Sequence, residues 1–391
     1  MARMVALTPK STTRDLRIDF LRGIAMVCVI VDHSQRTSLL SWFSYERFWV
    51  VTAAEVFVVL SGVVLGMVYG PRLLRDGWLA VMKGLCRRAL TLYVAFVAVT
   101  LSVLALSVAG IDISSVTTWD PAAVTWFYDP LSMNAADVRD LALLRYGPWA
   151  FEIVGLYVWF VLAAGPLLIL LRRIGWKALL ALSWTVYIGY RLVPMQLTSA
   201  EFETVFPILA WQLIFVHGLT IGYQRDQISA YLARGPRVLP IVVGSVSATF
   251  MAFALSNPAV SGPSWLHWGV VSPQHFASMY ERFFALSDLG IGRVLNLAVA
   301  LPFGYGLVSW SWSVVGRFQK LFVTLGRGSL GAFVLHVYGL LVLDHLPWTE
   351  TPWINALMQL ALIGSIAALL GGMQQWRRVR LSAAGARVLP A

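Results

Sequence analysis

Ten stretches of predominantly apolar residues constrain this chain more than anything else in it. They lie near 20–38, 50–69, 84–108, 148–171, 177–194, 205–223, 237–256, 291–312, 321–343 and 354–374. Each is close to the roughly 20 residues that carry an α-helix across a hydrocarbon core. A transmembrane barrel would show weak alternating segments instead. Composition agrees: 58% of the 391 residues are hydrophobic and only 13% are charged, against about 25% charged in an ordinary globular domain. A soluble enzyme, a disordered chain and a disulfide-rich secreted module are thereby excluded. The expected fold class is an all-α polytopic membrane protein with about ten transmembrane helices, forming one domain over residues 1–391. The run at 321–343 is the least regular, because Gly326, Arg327, Gly328 and Gly331 interrupt its start. Cys28 and Cys86 form no metal-ligand spacing, so no metal is expected. Residues 1–10 lack a signal-peptide core followed by a cleavage site, so the first helix is expected to be retained.

The net charge of +11 has the size of a nucleic-acid signal, but its distribution gives it another meaning. With the N-terminus placed inside and the loops alternating, every inside segment is basic. The N-terminal tail 1–17 and the C-terminal tail 375–391 both fall on that side. Only Arg36, Arg47, Arg139, Arg145, Arg191, Arg282 and Arg293 of the 30 basic residues fall outside. This is the positive-inside pattern, and it makes both termini cytoplasmic. The basic residues are read as topology determinants that meet anionic lipid, with no nucleic-acid partner. Two long outer loops, about 109–147 and 257–290, are rich in aromatics and acids. Trp119, Asp120, Trp126, Tyr128, Asp137 and Asp140 lie in the first, and Trp265, Trp268, Tyr280, Glu281 and Asp288 in the second. Aromatic rings cover the apolar faces of sugars and carboxylates accept their hydroxyls, so a glycan contact stands beside the simpler reading of an interfacial belt or lid.

The chemistry concentrates in the first helix. Arg22 and His33 are eleven residues apart, which is three helical turns plus about 20°, so they share one face and lie about 16 Å apart along it. Arg22 then sits at the cytoplasmic edge and His33 deeper or toward the outer side. Ionisable groups at membrane depth are a functional hypothesis by default. Asp32 and Glu55 are the two acids able to hold a ring nitrogen of His33 and fix its tautomer. Arg327 lies on the cytoplasmic side, where it could grip a phosphate. His336 lies about 13 Å deeper on the same run. Trp211, Gln212 and His217 in the sixth run, with Glu152 and Tyr157 in the fourth, are weaker candidates for the same cavity.

These residues resemble the OpgC family, within the membrane acyltransferase-3 superfamily. The resemblance runs through all ten apolar stretches. It is strongest in Arg17-Ile-Asp19-Phe-Leu-Arg22-Gly with Asp32-His33, in Ala53-Ala-Glu55-Val-Phe with Leu60-Ser61-Gly62, in Trp211-Gln212-Leu-Ile-Phe215, and in Leu325-Gly326-Arg327 with Ser329 and His336. It implies a membrane O-acyltransferase moving an acyl group from cytoplasmic acyl-CoA to an extracytoplasmic glycan, with succinyl-CoA the first donor to consider and a periplasmic glucan the known acceptor type. It also implies His33 as the catalytic position, and a bacterial inner-membrane location. The donor nucleotide is polyanionic and would be held by Arg17, Arg22 and Arg327. Arg36, one turn beyond His33, is the cation available to a succinyl carboxylate. Trp211, Gln212 and His336 would line the substrate side. Acetyl or longer donors and other envelope glycans stay open, as do a general-base and an acyl-carrier role for His33. The competing class is a transporter or glycan flippase using Asp32, His33 and Glu55 as a proton relay. The oligomeric state is not readable.

Overall fold

The computed structural model describes residues 14–117, 125–127, 129–234, 238–260, 262–347 and 349–386. Among these residues all regular structure is helical. The principal helices are α1 (Leu16–His33), α2 (Ala53–Arg75), α3 (Gly77–Val108), α4 (Ile153–Leu192), α5 (Ile208–Tyr223), α6 (Val238–Ala254), α7 (Ile291–Trp310), α8 (Gln319–Arg327), α9 (Ser329–Asp344) and α10 (Pro352–Ala386). Every apolar run is helical, but not as one helix per run. The fourth and fifth runs share α4, which is broken at Gly175, where φ is +80°, a conformation that favours glycine. The ninth run is split at Gly328 into α8 and α9. The segment Trp312–Arg327 that contains α8 meets α9 at an 86° bend.

Five helical stretches among the described residues are long and apolar enough to cross a membrane, or six if the bent pair counts as one span. This is fewer than the ten runs, for identifiable reasons. α1 carries Arg17, Asp19, Arg22 and Asp32 within 18 residues. α5 and α6 have only 16 and 17 residues. α4 joins two runs in one element.

α1 is the centre of the molecule. Twelve of its 18 residues are buried, and it packs against α2, α7, α8, α9 and α10. Its first turn is set by Asp15, whose carboxylate accepts the Arg17 N–H at 3.0 Å and caps the helix. Two glycine crossings fix its surroundings. Gly23 of α1 lies against the backbone of Phe322, and Gly326 of α8 against the backbone of Asp19. A second crossing joins α2 to α5. There Gly62 and Gly66 face the backbone around Phe215 and Leu219, while Gly218 and Gly222 face Val59 and Val63. Small residues four apart on both helices let backbones approach where lipid gives no hydrophobic drive to association.

An alanine at position 326 has no room, because the obstacle is backbone. Gly326→Ala is expected to lower stability by about 1–3 kcal/mol, the usual cost of overpacking. Gly244→Ala in α6 is the control, since nothing lies within 4 Å of its added methyl. Thermal unfolding of the purified variants in detergent checks this. Equal melting temperatures would show that α1 and α8 can part without cost.

Candidate active site

α1 ends at His33, and the chain turns back at once. Gln35 takes a left-handed φ of 52°, and the turn is held from outside by the fully buried Gln359 of α10. Gln359 donates to Ser34 Oγ at 2.7 Å and accepts from Ser38 Oγ at 2.6 Å. The turn delivers Arg36 beneath the C-terminal end of α9. Its Nη2 donates to the carbonyls of Leu343 at 2.5 Å and Leu346 at 3.1 Å, and its Nη1 to that of Pro347 at 3.4 Å. A cation at that end complements the helix dipole.

A cavity of about 210 Å³ opens at this junction. His33, Ser34, Gln35 and Arg36 form one wall, Leu340, Leu343 and Asp344 of α9 a second, and Ser114, Ser115 and Trp149 a third. Trp149 is placed by two bonds, from its indole to the Ser115 carbonyl and from its backbone N–H to that of Thr117, both 2.8 Å. Its ring centroid lies 4.8 Å from that of His33.

The neighbour of His33 is another histidine. His33 Nδ1 lies 3.1 Å from Nε2 of the fully buried His336. His336 Nδ1 in turn lies 2.6 Å from the Phe333 carbonyl. Neither acid expected to orient His33 is in that position. Asp32 is exposed and its carboxylate bonds no described residue. Glu55 is fully buried and pairs with Arg293, Nη1 lying 3.3 Å from each carboxylate oxygen. Glu55 also accepts the Thr52 N–H. Arg293 reaches on to the Tyr280 hydroxyl at 2.8 Å and the Phe284 carbonyl at 2.5 Å. Glu55 therefore joins α2 to α7 and, through Arg293, to the 257–290 loop, and among the described residues forms no relay with Asp32 and His33.

At the other end of α1, the three cations proposed for the nucleotide differ. Arg17 is paired with Asp15 at 2.9 Å and lies over the Tyr305 ring. Arg327 is paired with Asp19 at 3.3 Å, and Asp19 is shared with Arg14. Arg22 is 7% exposed, donates to Ser329 Oγ at 2.6 Å, and has no carboxylate partner among the described residues. Its Nε has no partner among the described residues. A buried guanidinium without an acid is a ready anion site. The Arg22–Ser329 and His33–His336 contacts tie α1 to α9 at two levels.

With this geometry in view, comparison with known families is decisive. A family model described as OpgC protein matches residues 14–378. The chain belongs to the OpgC family. No curated protein and no solved structure matches it. OpgC membership supports a transferase, and the apolar helices support a membrane protein.

Within this OpgC-family fold, two residues expected at the substrate lie among packed helices, away from the cavity beside His33. Trp211 is fully buried on α5, edge-on to Phe206. Gln212 bonds Ser183 Oγ at 2.7 Å and the Ser183 carbonyl at 2.9 Å, joining α5 to the second half of α4. His217 bonds the Leu213 carbonyl. Glu152 and Tyr157 are buried on or beside α4. Of the aromatics in the two long loops, Trp126 is buried against Phe127, whereas Trp265 and Trp268 are exposed. Trp119, Asp120 and Tyr128 lie outside the described residues.

Sequence reasoning did not single out Trp149, Ser114, Ser115, Asp344 or Gln359. Ser114, Ser115 and Asp344 are ordinary polar residues at element ends. Trp149 follows Gly147-Pro148, and that turn was its one available signal. Gln359 was a polar residue inside an apolar run and could have been flagged on that ground.

Proposed function

We propose that this chain is a membrane O-acyltransferase that moves an acyl group, succinyl in the first place, from cytoplasmic acyl-CoA to hydroxyls of an extracytoplasmic glycan. The reading includes membership of the acyltransferase-3 superfamily, ten crossings of the bacterial inner membrane and cytoplasmic termini. One observation carries it: His33 stands on the wall of a polar cavity at one end of α1, while the buried Arg22, which bonds no carboxylate among the described residues, stands eleven residues away toward the other end. That separation, about 16 Å along the helix, is of the order of a pantetheine arm. Phosphates of the donor would lie toward Arg22 and the thioester toward His33.

In the direct form of the reaction, His33 takes the proton of an acceptor hydroxyl. The oxygen attacks the thioester carbonyl, the carbon–sulfur bond breaks, and the departing thiolate takes the proton back from the imidazole. In the two-step form, His33 first carries the acyl group. Arg36, on the cavity wall, is the cation available to a succinyl carboxylate, although its guanidinium also serves the carbonyls ending α9.

The test is purified protein incubated with isotopically labelled succinyl-, acetyl- and longer acyl-CoAs and envelope glycan extracts, read by mass spectrometry. Transfer of label to glycan, greatest with succinyl, is expected. Absence of transfer from every donor, with substrate counter-flow in proteoliposomes lacking acyl-CoA, would replace the enzyme by a transporter.

A further inference from the structure

We infer that His336 is a positioning residue that fixes the proton register of His33, holding the proton on His33 Nδ1 and leaving Nε2 as the basic nitrogen presented to the cavity. The kinetic part of this inference rests on the acyl-transfer reading; the register itself does not.

The deduction starts at a carbonyl. The Phe333 oxygen can only accept a hydrogen bond, so the nitrogen facing it at 2.6 Å, His336 Nδ1, carries a proton. A neutral imidazole has one N–H. His336 is fully buried, and among the described residues no carboxylate touches either histidine, so an imidazolium here would be an uncompensated buried charge. His336 Nε2 is therefore a bare lone pair. The atom facing it at 3.1 Å is His33 Nδ1, and two lone pairs do not bond, so His33 Nδ1 must be the donor. His33 Nε2 is then unprotonated, and it has no protein partner among the described residues. One chain of direction, His33 Nδ1–H to His336 Nε2 and His336 Nδ1–H to the Phe333 carbonyl, follows from an acceptor that cannot reverse.

The arrangement does for His33 what a carboxylate does in a Ser-His-Asp triad, but without charge. When Nε2 takes the acceptor's proton, both nitrogens of His33 carry hydrogen, and the resulting cation still donates through Nδ1 to the lone pair of His336. No proton moves on to His336, so the imidazole returns the same proton to the departing thiolate. A neutral partner suits a bilayer interior, where a permanent carboxylate would itself need a counter-charge.

A substitution series separates this role from packing. The side-chain oxygen of glutamine occupies about the place of Nε2, whereas the side chain of asparagine reaches only that of Nδ1. His336→Gln keeps an acceptor for His33, His336→Asn keeps only the contact with Phe333, and His336→Leu keeps neither while filling the apolar surroundings. Glutamine is expected to retain most of the wild-type kcat, while asparagine and leucine lose on the order of 100-fold with the KM for the acyl-CoA changed less than about threefold. A leucine variant with wild-type kcat, or asparagine outperforming glutamine, overturns the inference. The second readout needs no enzyme activity. In ¹⁵N-histidine-labelled protein, six histidines give signals, and those missing from His33→Gln identify His33. A protonated-type Nδ1 and a bare-type Nε2 are expected in the wild type, with that pattern lost in His336→Leu. The opposite tautomer in the wild type overturns the inference whether or not acyl transfer is found.

Discussion

His33→Ala is expected to reduce acyl transfer by about 10²–10⁴-fold, the usual contribution of a positioned acid–base group, while leaving the protein inserted and folded. Structural tolerance follows from position. His33 is the last residue of α1 and only half buried, and the turn after it is held by Gln359 rather than by the imidazole. The variant removes the ring from a cavity wall without opening a void in the packed middle of α1. Initial rates with labelled acyl-CoA, and a melting temperature in detergent lowered only by the loss of one hydrogen bond to His336, check the two halves of the expectation together. Transfer at the wild-type rate would remove His33 from the chemistry.

The second large effect concerns stability. Arg293→Met is expected to cost about 3–5 kcal/mol, because it strands the fully buried Glu55 without its counter-charge. Adding Glu55→Gln should recover most of that loss. The glutamine is neutral, and its side-chain oxygen can still accept the Thr52 N–H at the start of α2. Unfolding of the single and double variants in detergent measures the coupling. A double variant no more stable than Arg293→Met would show that the pair contributes little. The same protein separates two roles for Glu55. If acyl transfer in the folded double variant stays near wild type, Glu55 is a structural tie between α2 and α7. If transfer is lost while folding is kept, Glu55 belongs to the chemistry after all.

The helical class, the helical nature of all ten apolar runs, and the placement of Arg22 and His33 on one helix were legible because they depend on local period and hydropathy. The identity of the group beside His33 was not, since His336 lies 303 positions away and meets His33 only through the packing of α9 on α1. Acids nearer in sequence were the natural candidates, but Glu55 is taken by Arg293 and Asp32 is exposed, away from the His33 ring nitrogens. The glycines at 326, 328 and 331 did announce an irregular ninth run. What they could not announce was which glycine admits a backbone crossing and which ends a helix. Gly326 meets Asp19 of α1, and Gly328 marks the bend. Part of the gap between ten runs and five or six qualifying spans comes from α1 itself. The polar residues that make α1 informative also remove it from any count based on apolarity.

The size of the cavity beside His33 bears on selectivity in a way that its polarity does not. At about 210 Å³ it is smaller than the roughly 300 Å³ at which pockets for drug-sized ligands begin. On the proposed chemistry, an acyl group of a few carbons and a single hydroxyl of the acceptor would meet there, with most of the sugar at or beyond the opening. The rest of the glycan would then lie outside the cavity. A long fatty chain would have to displace Trp149 or part α9 from α1. On that chemistry the cavity would gauge chain length at the donor end and receive one hydroxyl-bearing edge of a sugar at a time.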